Sequence, residues 1–323
     1  MKVKNIDLSD DTLNYWIQTL LPKYDIFFFP RHYEMLMEHL RPNALVMPVK
    51  EFFSHKGFNN IDTLNSYELW ELADDVAFAC VVHPDMITNM DNNVRKEILK
   101  VQKLVNRGLV FRWDLVNDML KNNSLGNTDE INDLLSPYIF ECEDEYYLAV
   151  QTSLWSSLDT TLKRMFLLQA ASKLVDDIKI TNQHMKKLQL ENPHISGYFN
   201  LYSKLNGANC FAATLAATSD ATADIDWIIS FWVHHEGFKA GLKANKYEYI
   251  SDSLNDLQPK DVLVWCGTEN IIHATYYLGD GFFFNKHGQS FMTPWQIVSA
   301  NHLYEVWGTK GIELYRRSER NIK

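Results

Sequence analysis

Residues 270–287, NIIHATYYLGDGFFFNKH, decide how this chain is read. Two runs rich in β-branched and aromatic residues, NIIHATYYL (270–278) and FFFNKH (282–287), flank Gly279-Asp280-Gly281, a composition that favours a tight hairpin turn. Pairing the two runs brings His273 on the first arm and Asn285 on the second to one region of a sheet. Further strand signals surround the hairpin: KYEYIS (246–251), DVLVWC (261–266), LYEVW (303–307) and IELYRR (312–317). Before them, GANCFAATLAA (207–217) and a segment over roughly 223–243 read as helices. Helices followed by a meander predict an α+β fold with an antiparallel sheet packed on helices.

Upstream, strands and helices alternate. Ser9 to Leu21 reads as a helix, and YDIFFF (24–29), ALVMPV (44–49) and VAFACVV (76–82) read as strands. Val94, Ile98, Val101 and Val105 fall at helical spacing over 91–107, with Arg95, Lys96, Lys100, Lys103 and Arg107 on the opposite, exposed side. A following WDLVNDML raises a helix-turn-helix, which the acidic surroundings oppose. YIFECEDEYYLAV (138–150) reads as two strands about an acidic turn, and 153–190 as the longest helical stretch, broken near Ile180 to Asn182. ENPHISG (191–197) combines Pro193 and Gly197 with polar residues and predicts a boundary. The expected organisation is a mostly helical α/β region over 1–190 and a second domain over 191–323.

The 323 residues suit about two domains. A net charge of -10, most of it from the first 200 residues, argues against a general nucleic-acid partner. Four Cys, at 80, 142, 210 and 266, lack paired metal spacing and are too sparse for a disulfide scaffold, which fits a reducing compartment. Asp7, Asp10 and Asp11 stand where a signal peptide needs apolar residues, and no apolar run approaches the ~18 residues of a membrane helix. A soluble, cytoplasmic protein is expected, with export by a non-standard route as the alternative.

Cys210 carries the chemistry. It follows Asn209, a good cap residue, and opens a helix of small residues. A thiol in the first turn of a helix faces the positive end of the dipole and unpaired N–H groups, both of which favour thiolate. With His273 to take its proton and a third polar group to fix the imidazole, such a thiol is a nucleophile.

The order of these residues resembles the NlpC-type family of papain-like cysteine hydrolases. There, an NC or DC helix start is followed by "L-x-P-G-D-L", matched here by LQPKDV (257–262), and then by "H-V-G-I-Y-L-G-D-G", matched by HATYYLGDG (273–281). The likeness covers about 190–310. It implies a papain-like fold, Cys210 as nucleophile, His273 as base and Asn285 as the orienting residue, with a peptide-like substrate, commonly the bacterial cell-wall peptide. Asn209 and Phe211 stand where the family has Asp and Ser, Lys260 replaces its Gly, and its third residue is often His. His287, two residues beyond Asn285 on the same strand face, therefore competes for the third place. The family also implies a Tyr upstream of the Cys as an oxyanion aid, for which Tyr198 and Tyr202 are candidates.

Trp295, just after the expected site strand, is a candidate substrate-lining residue. His234-His235-Glu236 lacks the two His four apart with Glu between that a zinc peptidase uses, so neither a metal nor a cofactor is expected. The activity this predicts is peptide or amide hydrolysis through an acyl-enzyme. Two other readings stay open: acyl transfer, as in relatives resembling lecithin retinol acyltransferase, and a non-catalytic binding module that keeps the fold. Oligomeric state is not legible.

Overall fold

The computed structural model describes residues 1–122, 128–268 and 270–318. Two compact units result, one formed by residues 1–16 with 167–323, the other by 17–166. The division differs from the expected boundary near 190 because the two ends of the chain fold together. Lys4 Nζ donates to Val175 O (2.6 Å), Asn5 Nδ2 to Ile178 O (3.0 Å) and Trp16 Nε1 to Ser203 O (3.0 Å), while the Trp16 ring stacks on Phe291.

The unit 17–166 is helix and sheet, with two three-stranded antiparallel sheets. In the first, Val76–Val82 lies between Asp25–Pro30 and Ala44–Pro48; in the second, Glu145–Ala149 lies between Val110–Arg112 and Ile139–Cys142. The helix Asn92–Leu104 starts at Asp91, whose carboxylate accepts from Asn93 and Val94 N–H. Its basic stripe is not all exposed. Arg95 and Arg107 are buried, because Arg95 donates to Ile87 O and Asn92 Oδ1, and Arg107 lies over the rings of Tyr67 and Phe27.

The other unit is built on a six-stranded antiparallel sheet. Its spatial order is Gln296–Ser299, Phe282–Asn285, Ile271–Gly279, Val262–Cys266, Ile312–Arg317 and Tyr247–Ser251. The predicted hairpin is present, turning through Gly279 and Gly281 at φ 110° and 78°. One face, with Val264, Ala274, Tyr276 and Phe284, packs on the helix Cys210–Thr218 and on Phe238 and Leu242 of the helix His235–Ala244. The other face, with Leu263, Trp265, Phe283 and Leu314, is covered by Leu303 and Trp307. These last belong to a helix, Ala300–Trp307, where a strand was expected. Ser299 caps it by accepting from His302 N–H, and Leu303 and Trp307, four residues apart, face the sheet together.

Gly311 leads from that helix into the strand Ile312–Arg317 at φ 66°, and a Cβ there would lie 2.7 Å from Cys266 O. The backbone cannot retreat, since Cys266 N–H donates to Gly311 O (2.7 Å). Gly311→Ala is expected to destabilise this unit by about 1–3 kcal/mol, readable as a lowered denaturant midpoint. An unchanged midpoint would show that the turn tolerates a side chain.

Candidate active site

Cys210 opens its helix behind Asn209, whose side chain accepts from Ala212 N–H (3.0 Å) and donates to Val233 O (2.7 Å). The cap fixes the helix start and ties it to Val233. Cys210 remains partly exposed. Its sulfur faces the backbone N–H groups of Cys210, Phe211 and Ala274, the last being the residue directly after His273.

His273 lies on the opposite side of its strand from Ala274, buried between Trp265 and Trp307. The Trp307 ring stacks on the imidazole with centroids 4.0 Å apart and planes at 8°. His273 Nε2–H donates to Asn285 Oδ1 (2.8 Å), while Nδ1 is buried with no hydrogen-bond partner. A neutral ring with its proton on Nε2 leaves Nδ1 as a free lone pair. The structure thus joins His273 to Asn285 on the Trp265 and Trp307 face of the sheet and leaves Cys210 on the other face, so the expected pairing of thiol and imidazole is not formed.

Electrostatics keep both partners neutral at rest. Burial pushes the Cys210 thiol up to about 11, against the pull of the three N–H groups and of the Lys286 ammonium. The expectation that a helix start favours thiolate is therefore outweighed here by desolvation. Burial also holds His273 down to about 3; the charge of His287 adds to this and the Asn285 bond opposes it.

His287 does not contact His273 through a hydrogen bond. Its Nε2 meets Asp176 Oδ2 (2.7 Å), and its Nδ1 accepts from Trp307 Nε1–H (3.1 Å). His302 Nε2 lies 2.7 Å from the other oxygen of Asp176. Burial works to raise the Asp176 carboxyl, but His287 and His302 hold it below the ordinary carboxylate value. Among the described residues, Asp176, His287 and His302 form one group whose ligand atoms lie within 4.8 Å of one another, close enough for a metal ion. The polarity at His287 opposes ligation. A metal-bound imidazole donates its second N–H to an acceptor, whereas here the second nitrogen accepts from an indole, leaving the ring proton on the nitrogen that faces Asp176.

The aromatic candidates are placed differently. Tyr198 donates to Asp226 Oδ1 (2.6 Å), so its hydroxyl hydrogen is already used. Tyr202 is buried edge-on against Trp16, and its hydroxyl has no partner. Trp295 is buried in the core cluster that packs on the Cys210 helix, edge-on to Tyr198. The sequence reading missed Lys286 and Trp307. Strand alternation after Asn285 was the available signal for Lys286; Trp307 reaches His273 from a helix that its five-residue pattern did not reveal.

Comparisons with protein-family models, curated proteins and solved structures found no match to the chain.

Proposed function

We propose that the unit of residues 1–16 and 167–323 is a papain-like cysteine hydrolase that cleaves an amide or ester bond in a peptide-like substrate. One observation carries the reading: Cys210 opens a helix with its side chain partly exposed and its sulfur facing the N–H groups of Cys210, Phe211 and Ala274. Cys210 loses its proton to solvent, and Sγ attacks the carbonyl carbon. The carbonyl oxygen takes the negative charge, and the N–H groups of Cys210 and Phe211 at the helix start are its nearest donors. Solvent protonates the leaving group as the bond to it breaks, giving a thioester. Water then attacks the thioester carbonyl, gives up a proton to solvent and releases Cys210 as thiolate. His273 and Asn285, on the other face of the sheet, take no part in these steps.

p-Nitrophenyl acetate tests this as a small, activated acyl donor. The expected result is a burst of p-nitrophenolate and an acetyl group on Cys210, located by peptide mass spectrometry. Absence of acetyl on Cys210 in folded protein would overturn the proposal. It would favour instead a binding module that keeps the fold, a reading to which the raised thiol gives some weight. Faster acyl release with hydroxylamine than with water alone would favour acyl transfer.

A further inference from the structure

We infer that Lys286 is a positioning residue for Cys210, its buried ammonium held against the sulfur to stabilise the thiolate that attack requires. The inference gives the hydrolase reading its resident positive charge, and it concerns a residue that reading does not use. Placement comes first. Along Phe282–Asn285, Phe284 faces the Cys210 helix and Asn285 faces His273, so Lys286 returns to the helix side. The register pairs Tyr276 with Phe284. Continued by two residues, it sets Lys286 across from Ala274, whose N–H meets Cys210 Sγ.

The ammonium is then held in place. Lys286 is buried, and Nζ donates to Ser290 O (2.9 Å) and Thr293 O (2.5 Å), two of its three hydrogens. That loop is itself tied to the chain just before the nucleophile. Gly207 N–H donates to Gln289 O (2.8 Å), and Phe291 N–H to Asn206 Oδ1 (2.9 Å). A loop staple alone would need only a neutral donor, and a buried charge is costly without a partner. The titratable group that acts on Lys286 is Cys210; His273, neutral and on the far side of the strand, does not act on it. Burial lowers the ammonium to about 7, and Cys210 opposes that shift.

A proton balance gives the test. Thiol with amine and thiolate with ammonium hold the same number of protons, so their ratio does not change with pH once the pair has lost one proton. The iodoacetamide rate at Cys210, read by peptide mass spectrometry to separate it from Cys80, Cys142 and Cys266, should rise with pH to about 7 and then level. In Lys286→Gln it should climb without levelling, about tenfold per pH unit, and lie at least about tenfold below the wild type at pH 7. Lys286→Arg, permanently charged, should lose the plateau but keep the higher rate.

A second measurement needs no variant. Beside an ammonium, anionic iodoacetate should gain on neutral iodoacetamide by several-fold relative to their ratio with glutathione. A wild-type rate that rises without levelling, or a reagent ratio no higher than that of glutathione, overturns the inference. A plateau together with no acetylation by p-nitrophenyl acetate would sink the hydrolase reading and leave this one standing.

Discussion

His273→Ala should leave acetylation of Cys210 by p-nitrophenyl acetate close to the wild-type rate and act instead on stability, because the ring packs on the face of the sheet opposite the thiol. Asn285→Ala should likewise spare acetylation, since its partner is that ring. The ring is held near 3, below its unfolded value, so it binds a proton more readily when the protein unfolds. Its contribution to stability is therefore complete above about pH 6.5 and is lost as pH falls toward 3, at about 1.4 kcal/mol per pH unit. His273→Ala should flatten that acid limb in denaturant titrations. A fall in acetylation of about 10²-fold or more in folded His273→Ala would show instead that the ring reaches the thiol as a base.

The hairpin was legible because its signals agree: alternation on both arms and a turn that needs positive φ at Gly279 and Gly281. The same pairing made His273 and Asn285 legible as neighbours. LYEVW was misread because five residues fit a period of two as well as one of 3.6, and the cap at Ser299 that decides between them lies outside the motif. The domain boundary was missed for a different reason. Local composition at 191–197 signals a turn, but the joining of residues 1–16 to 167–323 rests on contacts such as Trp16 to Ser203, which no local pattern carries. The thiol shows the same limit. A helix start is visible in sequence, whereas the desolvation that outweighs it comes from tertiary packing that no local pattern carries.

Asp25→Ala should be among the most damaging single changes to the stability of the unit 17–166, costing about 3–5 kcal/mol. The Asp25 carboxylate is fully buried and accepts from Thr152 N–H (2.8 Å) and Tyr67 Oη (3.3 Å). Its charge partner is Arg107, buried over the faces of Tyr67 and Phe27 and donating to Ile26 O (3.4 Å). Gln151, with its amide turned to satisfy both neighbours, donates to Asp25 Oδ1 (3.2 Å) and accepts from Arg107 Nη2 (2.6 Å). Removing the carboxylate leaves the guanidinium without a countercharge and takes an acceptor from three donors, Thr152 N–H, Tyr67 Oη and the Gln151 amide. The pair is not optimised for stability, because Asp25 Oδ2 and Arg107 Nε have no partner. Replacing both ends with apolar side chains, Asp25→Leu with Arg107→Met, should therefore recover at least half of the loss. Hydrogen exchange on peptides covering Asp25–Pro30 and Val76–Val82 reads this unit separately from the other. Exchange there should accelerate by about two to nearly four orders of magnitude in Asp25→Ala and by much less in the double variant. If the double variant exchanges as fast as the single one, the destabilisation comes from lost packing and hydrogen bonds rather than from an unpaired charge.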